Sequence, residues 1–347
     1  KLGILYENWG KKRDRVFHPF PMNNAALHYS PEKLQETILK SGYFNVKEED
    51  IIDYNQIDSD YIFDCRGKPD NLDDYKELEN PVNAVVLAQD SKRDLYQNWT
   101  RTVATPDGWC FVIPNTSDTT SYGYLYNHHI TSNKNAKENF EQLFELEAGE
   151  QFQFTQYVAK NPIIDDRIIL NGNKLFFLEP LEATSIHSTL IQMILFATDY
   201  LKEEMDFKNA SVSDEFNSRV GRQFDDFMIF LNAHYISKRN DSEFWKHVSN
   251  ECIHDNTINM VNKWKKQLRR MSDFDLYLSG LPHVQSQLYY PVLDGLGLLD
   301  KNIAREEMKI LNLKPLARDE YQRFNDQYND QMKNFIMHND YLSYASN

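Results

Sequence analysis

The chain has 347 residues, of which 41% are hydrophobic, so it is long enough to bury one elaborate core or two ordinary ones. It carries 52 acidic residues against 38 lysines and arginines, which gives a formal net charge of -14. Such a charge repels phosphate backbones and anionic lipid, so we expect neither nucleic acid nor a membrane as a partner.

The cysteines and the hydropathy pattern narrow the class further. Cys65, Cys110 and Cys252 are odd in number and widely spaced, which predicts neither a disulfide framework nor a cysteine metal site. No run of eighteen apolar residues occurs, and the first residues lack the pattern of a signal peptide. We therefore expect a cytoplasmic protein without a bound metal.

The first elements in chain order are a strand and a helix. The pattern of residues 1–9 predicts the strand. Ser30 followed by Pro31 predicts a helix N-cap with proline at the first helical position, and the helix is expected to end near Gly42. Its expected buried side consists of Leu34, Ile38 and Leu39.

A β-rich stretch follows, and the period then changes to that of helices. Runs rich in β-branched and aromatic residues predict strands at residues 61–65, 84–87, 109–113, 122–126 and 152–158. From Thr184 onward apolar residues recur at helical spacing, in stripes expected to face the core. The stripes are Ile186, Leu190, Ile194, Ala197 and Leu201; Phe216, Val220, Phe224, Phe227 and Leu231; and Phe324, Tyr328, Met332 and Phe335. The pattern predicts a mixed α/β fold, with a β-rich region over residues 1–183 and a helical C-terminal subdomain over residues 184–347 that packs on it.

The segment at residues 171–187 is the most informative for chemistry. An apolar run leads to Pro180, and a helix is expected to begin there with residues 182–185 in its first turn. The unpaired N–H groups and the positive dipole end of such a helix start form an anion site beside the Glu182 carboxylate. Taken alone, the same residues also fit ordinary helix capping.

The amino-acid sequence of this segment resembles that of a known family. FLEPLEATSI at residues 177–186 is similar to the FLEPLESTGI segment of flavin-dependent tryptophan halogenases, and GWCFVIP at residues 108–114 to their G-W-x-W-x-I-P block. Residues 121–126 resemble the SGYVYS strand of that family, and residues 60–67 its strand ending in D-C-S-G. Further parallels in order are FDD at 224–226, AHY at 233–235, FW at 244–245, YY at 289–290 and GLG at 295–297. The resemblance runs over most of the chain.

The resemblance implies a halogenating enzyme. In this family reduced FAD from a separate flavin reductase, oxygen and chloride, bromide or iodide give hypohalous acid, which passes through a tunnel to an aromatic substrate. KLGILYENW at residues 1–9 is similar to the K-x-x-I-x-F-x-N-W strand that bears the catalytic lysine. The implied catalytic pair is therefore Lys1 and Glu182, acting on an indole- or phenol-like ring.

The resemblance also implies binding roles for other residues. Those implied to bind the flavin are Trp109, Ile113, Pro114, Ala183, Ser185 and Ile186. Those implied to bind halide are Thr184 and Ser185, and those implied to bind the substrate are His18, Phe20, Phe111, Tyr289 and Tyr290. Phe111 replaces the second tryptophan of the family block, Ala183 replaces a serine and Ser185 a glycine, so halide preference and substrate identity are left open.

One family feature has no counterpart in this sequence. Halogenases have a Rossmann unit with G-x-G-x-x-G before the lysine strand, and the only G-x-G here, at residues 295–297, lies too late in the chain to be one. We therefore expect a flavin-monooxygenase-like FAD domain that is incomplete here, with an N-terminal segment upstream of Lys1.

Three other functions remain as alternatives. The chain could be a flavin monooxygenase-like enzyme without halide use, or a non-catalytic binding protein derived from the fold. A glycoside hydrolase using Glu179 and Glu182 is a weaker alternative, because a three-residue spacing at a helix start is poor evidence for a catalytic carboxylate pair. Whether the chain forms a homo-oligomer is left open.

Overall fold

The computed structural model describes residues 3–12, 15–19, 29–91, 99–115, 119–201, 206–268, 284 and 286–333. Lys1 and Phe20 therefore lie outside the described residues. The strands, in chain order, are β1 Gly3–Glu7, β2 Arg15–Pro19, β3 Ile62–Asp64, β4 Tyr75–Leu78, β5 Ala84–Asp90, β6 Thr100–Ala104, β7 Gly108–Pro114, β8 Thr120–Tyr126, β9 Gln151–Gln153, β10 Gln156–Ala159, β11 Ile163–Ile164, β12 Ile168–Leu170 and β13 Phe176–Phe177.

Within the described ranges, the largest sheet has seven strands in the order β2-β1-β6-β7-β8-β5-β9. Its β1 and β6 pair in parallel, and the other neighbours pair antiparallel. Two three-stranded sheets have the orders β13-β10-β4 and β11-β12-β3. The predicted strands are confirmed except at residues 152–158, which contribute to two strands in different sheets. A run of β-forming residues does not reveal that the chain changes sheet partway along.

The pairing of β7 with β8 shows why one glycine is needed in this sheet. Phe111 lies directly opposite Gly123, and the Phe111 ring covers the glycine. A Cβ added to Gly123 would lie 2.1 Å from the Phe111 ring. The absence of a side chain at residue 123 therefore determines where the Phe111 ring can lie.

The helices follow the strands along the chain, apart from two early ones. They are α1 Pro31–Leu39, α2 Asn133–Phe144, α3 Thr184–Leu195, α4 Ala210–His234, α5 Glu243–His247, α6 Asp255–Trp264, α7 Ser286–Gly295, α8 Lys301–Ile310 and α9 Lys314–Lys333. Ser30 caps α1 by accepting from the Lys33 backbone N–H, as predicted. No helix in the described part of the chain has the length and hydropathy needed to cross a bilayer.

The long helix α4 confirms its predicted stripe and joins the two parts of the chain. Phe216, Val220, Phe224, Phe227 and Leu231 are all buried. They belong to one hydrophobic cluster that also contains strand residues such as Tyr6, Trp109 and Phe176. The strands and the helices therefore share a common core.

The apolar stripes predicted for α1 and α3 do not face the core, and neither does Phe324, the one residue of the α9 stripe whose side chain is described. In α3 and the turn after it, Ile186, Leu190, Ile194, Ala197 and Leu201 are exposed, whereas Ser188, Gln192 and Leu195 are buried. In α1, Leu34, Ile38 and Leu39 are exposed, and in α9 Phe324 is 45% exposed. The side chains of Tyr328 and Met332, and all of Phe335, lie outside the described residues. A helical period shows which residues share a face, but it does not show what covers that face.

Candidate active site

Glu182 lies in a turn whose backbone is unusual. Glu182 has φ 65° and Ala183 φ 51°, left-handed values that cost residues other than glycine about 1–3 kcal/mol each. Leu181 is fully buried beside them and anchors the turn. The helix α3 begins only at Thr184, so Glu182 precedes it; the prediction that its first turn starts at residue 182 is wrong by two residues.

Two side chains from distant elements contact the same oxygen of Glu182. The Tyr6 hydroxyl of β1 donates to Glu182 Oε1 at 2.5 Å. His234 Nε2, from the last residue of α4, lies 3.0 Å from the same oxygen. The side chain of His234 is 1% exposed and that of Glu182 is 10% exposed. The fold thus holds this carboxylate at a place where β1, the turn and α4 meet.

Burial and the charge of the Glu182 carboxylate together shift the pKa values of two neighbouring side chains. Burial, followed by the negative charge of Glu182, raises the pKa of Tyr6 well above its usual value, so the hydroxyl keeps its proton. His18, on β2 opposite Ile4, is half-buried. Burial lowers the pKa of His18, and the charge of Glu182 acts in the opposite direction. The structure therefore brings His18, a predicted substrate residue, within electrostatic range of Glu182.

A second glutamate lies three residues earlier and points into the core. Glu179 Oε2 accepts from the Tyr235 hydroxyl at 2.8 Å and from the Trp109 indole N–H at 3.4 Å. Burial raises the pKa of Glu179 to about 7, although both donors oppose the rise. The two glutamates have different partners, and Glu179 is only 3% exposed. This arrangement does not resemble the paired carboxylates of a glycosidase, which flank a substrate.

The predicted flavin residues of β7 form a wall beside the site. Trp109 is 1% exposed, and its ring lies 6.3 Å from the Trp9 ring and 6.2 Å from the Phe111 ring, measured between centroids. Pro114 is buried, while Ile113 and Phe111 are half-buried. The Trp9 ring in turn lies 6.0 Å from the His234 ring. Aromatic contacts therefore connect β7 to the carboxylate site, while the binding roles of these residues stay predictions.

The start of α3 has the character expected of an anion site. Thr184 is buried, whereas Ala183, Ser185 and Ile186 are exposed. The N-cap residue of this helix is Ala183, whose methyl side chain cannot accept from the first backbone N–H groups. A helix start whose N-cap residue supplies no acceptor fits a halide or the polar edge of a flavin. The residues present thus fit this part of the cofactor, although the sequence has no phosphate-binding G-x-G-x-x-G.

The two predicted substrate tyrosines of α7 have different surroundings. Tyr289 is 1% exposed and packs between Phe230 and Trp264, with centroid distances of 4.7 and 5.0 Å. Tyr290 lines a cavity of about 360 Å³ together with Trp264. A smaller cavity beside the carboxylate is lined by Tyr6, Trp9, Gly10, Val16, His234, Pro291, Val292, Gly295 and Leu296.

Sequence reasoning did not assign a role to three residues that surround the two glutamates. Tyr6, His234 and Tyr235 lie in segments that resemble the family, but no role was predicted for their side chains. The available signal was weak: Tyr6 stands where the family pattern has phenylalanine, and His234 and Tyr235 form part of the A-H-Y segment. Their contacts with Glu182 and Glu179 join residues that are more than fifty positions apart in the chain.

Comparison with known sequences relates the chain to halogenases. A family model described as tryptophan halogenase matches residues 49–305, more than half of the chain. The tryptophan 7-halogenase KtzQ of Kutzneria sp. (strain 744) is 27% identical over 207 residues, which are 54% of this chain and 37% of that protein. The tryptophan 6-halogenase ThaL of Streptomyces albogriseolus is 25% identical over 237 residues, 65% of this chain and 44% of that protein. The matched part spans less than half the length of these curated relatives.

Solved structures agree with this relationship at the level of the fold. The tryptophan halogenase of Shewanella frigidimarina NCIMB 400 has a TM-score of 0.76 at 18% identity, covering 99% of this chain and 81% of that chain. The tryptophan 6-halogenase SttH of Streptomyces toxytricini has a TM-score of 0.72 at 17% identity, covering 99% and 85%. The mixed α/β fold predicted from the sequence is confirmed. Together with the family model that matches residues 49–305, these comparisons identify the chain as a member of the tryptophan halogenase family.

Proposed function

We propose that the encoded protein is a flavin-dependent halogenase. It would use FAD reduced by a separate flavin reductase, oxygen and a halide to halogenate an indole- or phenol-like ring in the cytoplasm. The observation that carries this proposal is the Glu182 carboxylate, held by Tyr6 and His234 in a strained turn directly before α3. Strained backbone at a carboxylate is characteristic of functional sites, where the surrounding structure enforces the conformation.

Glu182 is proposed to act as a general base or to polarise the oxidant. When hypohalous acid halogenates a ring, the ring carbon gains a halogen and loses a proton, and the remaining hydroxide and proton form water. A carboxylate that is mostly buried yet still reachable can accept this proton at a fixed position. Its buried neighbour Glu179 is proposed to have no direct part in this step.

Lys1 is proposed to hold the oxidant beside Glu182, by hydrogen bonding or as a haloamine. Support comes from the chain immediately after it. Ile4 pairs with His18, whose pKa responds to the charge of Glu182. Lys1 is three residues from Ile4, so their Cα atoms are at most about 11 Å apart. This bound is compatible with the role that we propose for Lys1.

The flavin and the halide are assigned to the first turn of α3 and to β7. Ala183, Ser185, Ile186, Trp109, Ile113 and Pro114 are proposed to contact FAD, and Thr184 with Ser185 to contact the halide. When bound, reduced FAD would supply two of the four electrons that oxygen accepts, and the halide would supply the other two as it is oxidised. Two features support this assignment: the N-cap residue Ala183 supplies no acceptor to the start of α3, whose dipole favours an anion, and the buried Trp109 ring of β7 contacts Trp9.

Five residues are proposed to bind the aromatic substrate: His18, Phe20, Phe111, Tyr289 and Tyr290. Of these, His18 has the most direct support, since it responds electrostatically to Glu182. Tyr289 is buried between Phe230 and Trp264, so it would act by supporting the pocket wall. Tyr290 lines a cavity of a size suited to a small aromatic molecule.

An omission experiment tests the proposed reaction. The encoded protein is incubated with a flavin reductase, NADH, FAD, bromide and a panel of indoles and phenols, and the loss of each aromatic compound is followed. We expect consumption only when reductase, FAD, oxygen and bromide are all present. Consumption that continues without any halide would instead favour the monooxygenase alternative, and no bound FAD together with no consumption would favour a non-catalytic binding protein.

A further inference from the structure

The contacts of His234 show where a proton is held beside Glu182. His234 Nδ1 lies 2.9 Å from the backbone oxygen of Phe230, which can only accept, so Nδ1 carries a hydrogen. The other ring nitrogen, Nε2, lies 3.0 Å from Glu182 Oε1. A neutral imidazole protonated at Nδ1 has an acceptor at Nε2, so two acceptors would face each other. The contact therefore requires one further proton, held between Nε2 and Oε1.

Tyr6 supplies a second donor to the same oxygen. Its hydroxyl lies 2.5 Å from Oε1, and its raised pKa keeps the hydroxyl protonated at neutral pH. The family pattern that residues 1–9 resemble has phenylalanine at this position, so the hydroxyl departs from that pattern. Oε1 thus accepts a hydrogen bond from β1 and shares a proton with a histidine of α4.

Other titratable groups among the described residues lie within electrostatic range of this centre. His18 of β2 and Glu179 of the preceding segment respond to the charges of Glu182 and His234, respectively. The positive charge of His234 acts to lower the pKa of Glu179. The Tyr235 hydroxyl donates to Glu179. The residues that α7 contributes to the small cavity lined by Tyr6 and His234 are aliphatic or glycine.

We propose that Tyr6 and His234 are positioning residues that keep the Glu182 carboxylate ionised and fixed through Oε1, so that Oε2 accepts the ring proton. A hydrogen-bond donor and a positive charge stabilise a carboxylate, whereas burial without them favours the neutral carboxyl, which cannot accept a proton. The accepted proton leaves to water when Glu182 ionises again. The inference rests on the proposed role of Glu182 as a base.

Carboxyl NMR tests this inference without any halogenation assay. The encoded protein is labelled with ¹³C at the glutamate side-chain carboxyl carbons, and Glu182 and Glu179 are identified by the signals that Glu182→Gln and Glu179→Gln remove. Tyr6→Phe deletes one oxygen atom and keeps the ring. We expect the titration midpoint of Glu182 to rise by about one to two pH units, the value of a hydrogen bond to a charged group.

The second tyrosine-glutamate pair provides a matched control. Tyr235→Phe also removes a buried hydroxyl, but this hydroxyl donates to Glu179 at 2.8 Å and not to Glu182. We expect it to raise the midpoint of Glu179 and to leave that of Glu182 unchanged. A variant that moved both midpoints equally would indicate general loosening of the core and would overturn the proposed role of Tyr6.

His234→Gln separates the charge of the histidine from its hydrogen bond. Glutamine keeps an N–H donor near the position of Nε2 but cannot carry a proton charge. We expect the Glu182 midpoint to rise and the acidic limb of the kcat profile for halogenation to move by the same amount, with little change in the KM of the aromatic substrate.

The outcomes separate this inference from the proposed function. If Tyr6→Phe and His234→Gln both leave the Glu182 midpoint where it is in the wild type, the inference is overturned, whether or not the enzyme halogenates. If the midpoints shift as expected but no halogenated product forms, the positioning roles are supported and the proposed function is rejected.

Discussion

At the scale of single residues, the proposed chemistry centres on the turn Leu181–Ala183. Glu182 and Ala183 both adopt left-handed backbone conformations immediately before a helix. The energetic cost of this turn is offset by the buried Leu181, by the hydrogen bond from Tyr6 and by the contact of Glu182 with His234. The two glutamates of the segment are thereby separated into a carboxylate that faces the site and a carboxyl group in the core.

Replacing Glu182 tests its role as a base. Glu182→Gln keeps the shape of the side chain and its capacity to accept from Tyr6, but it removes the negative charge. We expect the rate of ring halogenation to fall by about 10²–10⁴-fold, the range for a positioned general base, with no loss of folding. Steady-state kinetics and thermal unfolding of the same sample measure both quantities. A variant with wild-type turnover would contradict the assignment.

Replacing Lys1 tests the separation of oxidant formation from ring chemistry. We expect Lys1→Ala to abolish halogenation of the aromatic substrate while oxygen consumption and hypohalous acid formation continue, because those steps are proposed to occur at the flavin. Hypohalous acid is measured with a trapping dye in the same reaction as the product. Full product yield from Lys1→Ala would remove Lys1 from the mechanism.

The buried Glu179 predicts a pH dependence of stability. Its pKa is raised from 4.5 to about 7 by burial, so the folded state holds a proton that the unfolded state has released. Its contribution to the free energy of unfolding is therefore fully present below pH 4.5 and declines by about 3 kcal/mol as the pH rises to 7. In urea unfolding, the stability of the wild type minus that of Glu179→Gln should fall by about this amount over the interval, because glutamine does not titrate. A difference that stays constant with pH would show that Glu179 titrates normally.

At the scale of elements, β7 and β8 are tied together by the contact of Phe111 with Gly123. Gly123→Ala would bring a methyl group within 2.1 Å of the ring, and we expect it to destabilise the fold by about 1–3 kcal/mol. Gly221→Ala is the matched control: Gly221 lies inside α4 with nothing within 4 Å of the added Cβ. It should stabilise the fold by about 0.5–1 kcal/mol. Urea midpoints of the two variants that shift in the same direction would contradict this account.

Some of the strands and helices could be predicted from the sequence, and others could not. Strand positions and the start of α1 followed from local residue types, because β-branched runs and a Ser-Pro helix start act over a few residues. The inward face of α3 did not follow, because Ser188 and Gln192 face the core and Gln192 donates to the Leu170 backbone oxygen. For the site, the position of Glu182 was predicted through the family resemblance. Its partners Tyr6 and His234 were not predicted, because both contacts join segments far apart in the chain.

At the scale of the whole molecule, one core connects the β-rich part of the chain to the helical part. Residues of β1, β7 and β13 share a cluster with residues of α4, α5 and α7. The site lies within this connection, since its three side chains come from β1, from the turn before α3 and from the end of α4. The division at residue 184 therefore stays a proposal about sequence composition, and the geometry of the site depends on both parts.

The mass of the product tests most directly whether the encoded protein adds a halogen to an aromatic ring. The reaction is run with flavin reductase, FAD, oxygen and bromide, and the product is analysed by high-resolution mass spectrometry. We predict a product in which one ring hydrogen is replaced by bromine, recognised by the paired isotope pattern of that element. A product that instead gains one oxygen atom and carries no bromine would contradict the assignment.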